Sequence, residues 1–120
     1  MNINKPIKVD KKWGYELIIE NNDKYCGKIL HFEQNKKFSM HFHMLKHETW
    51  YVQSGKFIYR WIDTTNADLH QKTLNVGDKV VITPGLPHQL EALEKGDIFE
   101  VSTKHYDNDS YRVMKGDSQK

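Results

Sequence analysis

A chain of 120 residues, 38% apolar and 28% charged, is long enough for one domain with one core and too short for two. Its 18 Lys and Arg against 16 Asp and Glu leave a net charge of +2, spread along the length rather than gathered into a basic stripe, which argues against nucleic acid as a partner. No apolar run approaches the roughly 18 residues of a membrane span, the start lacks a secretion signal, and the single cysteine, Cys26, has no internal partner, so the expectation is a soluble, cytoplasmic protein.

After a polar start, Tyr15 to Glu20 reads as a strand closed by Asn21, Asn22 and Asp23, and Tyr25 to Phe32 as a second. Lys28 falls within that second strand, where a lysine ordinarily marks a solvated edge. The turn at Gln34 to Lys37 places Asn35 where a positive φ is tolerated. In the strand that follows, His41 and His43 are two apart and project from one face, while Phe38, Met40, Phe42 and Met44 take the other. Glu48 opens the next strand, which runs to Gln53 with Glu48, Trp50 and Val52 facing inward. Beyond the Ser54-Gly55 turn, Phe57 to Ile62 alternates with bulk on both faces. Asp63 to Asp68 is a polar loop, Leu69 to Leu74 a strand, Asn75 to Asp78 a turn, and Val80 to Ile82 a short buried strand that ends at Pro84-Gly85. His88 to Leu93 and Ile98 to Thr103 close the series around a turn at Glu94 to Asp97.

So many short strands with regular turns predict an all-β sandwich or barrel. It forms a single domain over residues 1–120, with the barrel spanning about 13–112 and a loose tail from Lys115 to Lys120. The apolar side chains outside the His strand would leave an exposed patch, for which a homodimer is the predicted cover.

Two neutral imidazoles on one strand face and a carboxylate from the next strand offer three ligands of the kind that first-row divalent metals take. His88, delivered by a proline-glycine turn, is the candidate fourth. The predicted metal site is therefore His41, His43, Glu48 and His88 around one divalent ion, with Zn, Mn, Fe, Ni and Co not distinguished.

Spaced as His41-x-His43-x4-Glu48-x6-Gly55 and Gly77-x6-Pro84-Gly85-x2-His88, the chain resembles the cupin superfamily. That resemblance implies a double-stranded β-helix, the jelly-roll barrel, with the metal inside. From Trp13 to Arg112 it is similar to the cupin isomerase domain of bifunctional mannose-6-phosphate isomerase/mannose-1-phosphate guanylyltransferase proteins. The counterparts are Trp13-Gly14-Tyr15-Glu16, Ser39 to Trp50, and Asn108-Asp109-Ser110-Tyr111-Arg112. The chain departs from that pattern at His41, where the family usually has Gln, and at Lys46, where it has Arg.

The similarity implies aldose-ketose isomerisation of a phosphorylated sugar. Lys46 or His47 would move protons, Lys46 or Arg112 would bind the phosphate, and Gln89 and Glu91 would stand at the cavity mouth. Two other functions fit the same ligand set: an Fe(II)-dependent dioxygenase, and a non-catalytic metal- or sugar-binding module.

Overall fold

Short alternations separated by turn residues fold here into eleven strands, and the computed structural model describes all 120 residues. The strands are β1 (Ile7–Lys11), β2 (Gly14–Asn21), β3 (Cys26–Phe32), β4 (Met40–Phe42), β5 (Glu48–Val52), β6 (Lys56–Ile62), β7 (Leu69–Leu74), β8 (Lys79–Ile82), β9 (His88–Glu94), β10 (Gly96–Ser102) and β11 (Tyr111–Met114), with a closing 3-10 turn at Asp117–Gln119. Two sheets result, ordered β1-β2-β3-β10-β5-β8 and β11-β4-β9-β6-β7, with every pairing antiparallel. From β3 onward the chain crosses between the sheets at almost every turn, the connectivity of a jelly roll. No helix is long and apolar enough to cross a membrane.

The period-2 rule is clearest in β3, where Cys26, Lys28, Leu30 and Phe32 are buried and the residues between them half-buried. Phe32, Phe57, Leu74, Leu90, Ala92 and Ile98 fill one end of the space between the sheets, and Trp13 stacks on Phe32 at 4.5 Å. Gly14 is required beside that tryptophan: its φ is +151°, and a Cβ there would collide with the carbonyl of His31. Asn35 does take the expected left-handed turn, with φ 65°.

Three features depart from the sequence reading. β1 and β11 were not anticipated, because both are short and largely exposed on both faces, so they carry no burial pattern to read. The His strand also bends at Ser39. Lys37 bridges to Glu91 and the Phe38 amide bonds Leu90, so Phe38 turns into the core while β4 itself is only Met40–Phe42. Met40 is fully buried with Met114 of β11 as its register partner, and Phe42 stacks on Tyr111 at 5.2 Å. The patch predicted to need a second copy is therefore largely covered by the chain's own last strand, leaving Met44 exposed.

The last residues, finally, do not trail. The Asp117 amide donates to the Lys37 carbonyl at 3.0 Å and the Lys37 amide to the Asp117 carboxylate at 2.7 Å. Gly116 is wedged so tightly against Phe38 and Ser39 that no side chain would fit.

Candidate metal centre

His41 of β4 and His88 of β9 are direct register partners across the strand pair, and His43 follows two residues beyond His41 on the same face. The ligating atoms of the three rings lie within 4.8 Å of one another. In each ring Nδ1 is committed to a backbone carbonyl: His41 to Ser39 at 2.8 Å, His88 to Leu86 at 2.8 Å, and His43 to Asp109. A carbonyl oxygen can only accept, so each Nδ1 carries the proton and each Nε2 is left with a free lone pair. Burial, the first cause in all three, holds the rings neutral. It lowers His43 and His41, the latter also repelled by His88 and His43, and brings His88 down to about 4.

Glu48 enters from β5 on the opposite sheet. Its Oε2 stands 3.5 Å from His43 Nε2, and its other oxygen accepts the Trp50 indole N–H at 2.8 Å. Both the His88 Nε2 and the Glu48 Oε2 are buried without a hydrogen-bond partner. Orphaned polar atoms of this kind cost free energy unless something satisfies them. The three imidazole nitrogens form a cluster that suits one divalent first-row ion, and the Glu48 carboxylate stands beside it against His43, so the residues present fit the metal that the sequence pointed to.

Glu48 also ends a row of buried charges across the inner face of the first sheet. Glu16 of β2 holds Lys28 of β3 at 2.8 Å. Lys28 is the register partner of Glu100 on β10, Glu100 holds Lys46 at 2.8 Å, and Lys46 lies 4.0 Å from Glu48. Burial alone would raise the Glu100 carboxyl, but Lys46 and Lys28 outweigh it and hold it well below the ordinary value. Glu48 goes the other way, pushed up to about 8 by burial and then by the charge of Glu100. The carboxyl pair thus retains one proton at neutral pH in the metal-free protein, shared between Glu48 and Glu100.

This wall faces a cavity of about 350 Å³, closed elsewhere by Trp13, Phe38 and Trp50. His88 sits behind the cavity, while His41 and His43 line it. Arg112, exposed at the rim on β11, lines the cavity and makes no ion pair.

The sequence-predicted residues divide accordingly. Lys46 is not a solvated loop lysine: its side chain is 3% exposed and reaches into the cavity. His47 is exposed, with its amide donating to Thr103 Oγ1, and it does not line the cavity. Gln89 and Glu91 were expected at the mouth beside His88, but alternation along β9 turns them to the other face. There the Gln89 amide donates to the Phe38 carbonyl at 3.0 Å, and Glu91 pairs with Arg60 at 2.8 Å. Lys28 belongs to the buried row rather than to an edge.

Sequence reasoning missed Glu100, Asp109 and His105, the last lining the cavity with its Nδ1 3.4 Å from the Lys46 ammonium. The signal for Glu100 was an acid two residues from Ile98, and so on the same inward face of its strand, whereas Asp97 falls on the other.

The sequence family is now plain: the chain belongs to the cupins, whose family model matches residues 26–116. Among solved structures, oxalate decarboxylase from Bacillus subtilis superposes with a TM-score of 0.78 at 18% identity, covering 90% of this chain and 30% of that one. The capsular polysaccharide assembling protein CapF from Staphylococcus aureus gives 0.79 at 18% identity, covering 93% and 33%. Identities this low carry the fold alone, and the chain spans about a third of the length of either structure. No curated protein sequence matches it.

Proposed function

We propose that this cupin is a metal-dependent sugar-phosphate isomerase that interconverts an aldose phosphate and its ketose, with mannose 6-phosphate and fructose 6-phosphate as the first pair to try. The observation that carries the reading is the buried Lys46–Glu100 pair placed in one cavity with His41 and His43. An isomerase needs a group to move a proton between adjacent carbons and a charge-matched site to hold an anionic substrate.

His41, His43, Glu48 and His88 would hold the ion. When bound, it supplies Lewis acidity toward the carbonyl and hydroxyl oxygens of the sugar. Glu100, kept ionised by two lysines, is the proton acceptor. Lys46, whose proton is retained because Glu100 and Glu48 outweigh its burial, balances the charge that develops. Arg112, free of any carboxylate, takes the phosphate at the rim. The similarity around Trp13-Gly14-Tyr15-Glu16 and Asn108 to Arg112 supports the same reaction type.

Mn(II) is the ion to load first, since the Bacillus subtilis oxalate decarboxylase that shares the fold contains Mn(II) centres. The test is conversion of mannose 6-phosphate to fructose 6-phosphate by the Mn(II)-loaded protein, beside EDTA-treated, His88→Ala and Glu100→Gln samples. Turnover lost in all three controls is the expected result. Absence of turnover with every candidate ion would overturn the isomerase, and oxygen uptake by the Fe(II)-loaded protein would replace it with a dioxygenase.

A further inference from the structure

We infer that Asp109 is the positioning residue of the metal centre, and that the segment it opens, running to Asp117, is the brace that holds the ligands in register. This rests on the metal-binding reading above. Asp109 is 4% exposed although Asn108 and Ser110 on either side are exposed, so its carboxylate has been drawn inward out of a surface loop.

Both ends of the residue act on the site. The carbonyl oxygen accepts the Nδ1 proton of His43, which settles that ring's tautomer and aims its Nε2 at the centre. The carboxylate accepts three successive backbone N–H groups: Met44 at 2.8 Å, Leu45 at 3.1 Å and Lys46 at 3.2 Å. These three amides have no other acceptor. The arch they belong to joins His43 to Glu48, two of the four ligands, and carries Lys46, whose ammonium must reach Glu100. One side chain therefore fixes the path between two ligands and the direction of the buried lysine.

The far end of the same segment reaches a third ligand. Gly116 and Asp117 pin Lys37, Phe38 and Ser39, and the Ser39 carbonyl is the acceptor that orients His41. His43 is thus held by a residue 66 positions away, and the Ser39 carbonyl that orients His41 lies on a stretch pinned at Lys37 by Asp117, 80 positions on.

The test is Mn(II) affinity, read from the free-ion EPR signal, together with the visible spectrum of the Co(II)-loaded protein, in wild type, Asp109→Ala and Asp109→Asn. Wild type should take up one ion per chain. Asp109→Ala should bind about 10- to 100-fold more weakly, the usual range for removing a group that orients a ligand, and its Co(II) spectrum should change even at saturation. Asp109→Asn should fall between them, because its amide oxygen still receives Met44 while its NH₂ confronts the Lys46 amide. If Asp109→Ala does not fold, Asp109→Asn carries the comparison, with Asp117→Ala as a milder variant expected to lose several-fold through His41.

A carboxylate that only holds the fold would lower the melting temperature yet leave the affinity and the Co(II) spectrum of the folded protein at wild-type values, and that result would overturn the inference alone. Wild-type protein that binds neither ion would overturn the metal reading and this inference with it.

Discussion

The interior between the two sheets has two ends built from the same strands. Following the inward side chains, β3 runs from Lys28 to Phe32, β5 from Glu48 to Val52, β9 from His88 to Ala92, and β10 from Glu100 to Ile98. At one end each large apolar side chain removed from water contributes roughly 1.5–3 kcal/mol. At the other, equally buried charges are net costly unless paired, and a pair seldom recovers more than its desolvation. The apolar end stabilises the barrel, so the polar end can carry, beside its ion pairs, groups such as the His88 Nε2 and the Glu48 Oε2 that have no partner within the protein.

The comparison is tested most severely at the apolar end. Phe57→Ala empties a fully buried ring from between the sheets and should lower stability by about 3–5 kcal/mol in urea unfolding, with the metal site intact in whatever remains folded. At the polar end, Glu100→Leu takes from Lys46 its close partner, leaving only Glu48 at 4.0 Å, and should cost somewhat less, whereas Glu100→Leu with Lys46→Met should return close to wild-type stability while abolishing turnover. A double variant as unstable as the single one would show that the pair is there for the fold and not for the chemistry.

The pH profile of the metal-free protein sharpens the same contrast, with an effect of a few kcal/mol. His88 titrates near 4 in the folded protein against about 6.5 unfolded, and His41 and His43 are also lowered. Between those values the unfolded chain binds more protons, so this contribution is complete above about pH 6.5 and is lost as pH falls toward 4. Glu48 acts oppositely. Raised to about 8, it makes the folded protein the greater proton binder above about pH 4.5, and its contribution declines as pH climbs to 8. Three imidazoles outweigh one carboxyl below about pH 6.5, and only Glu48 of this group titrates above it, so urea midpoints should peak near that pH. A monotonic profile would remove the carboxyl from the account.

His88→Ala should cost the metal-free protein some stability, since it empties a buried site and takes the donor from the Leu86 carbonyl, but less than Phe57→Ala because its Nε2 has no partner to lose. Bound metal should fall sharply while the far-UV circular dichroism stays the same; unchanged metal content would break the four-ligand site. Least of all, His47→Ala, at an exposed position outside the cavity, should leave metal content and turnover unaltered.

Sequence alone determined the all-β class, nine of the eleven strands in outline, and the inward face on which His41, His43 and Glu48 stand, because residue spacing and turn chemistry are local properties of the chain. Its motif spacing also brought His88 to the right place. Alternation likewise held the means to turn Gln89 away, since His88 and Gln89 are adjacent and must occupy opposite faces.

Tertiary structure decided the rest. That Lys28 and Lys46 are buried follows from which acids face them across the sheet, and that Arg112 stays unpaired follows from which do not. The bend at Ser39, the cover that β11 gives Met40, and the grip of Asp109 on His43 all depend on partners far along the chain, from Leu90 to Asp117. Periodicity reports which way a side chain points, and only the folded chain settles what it meets there.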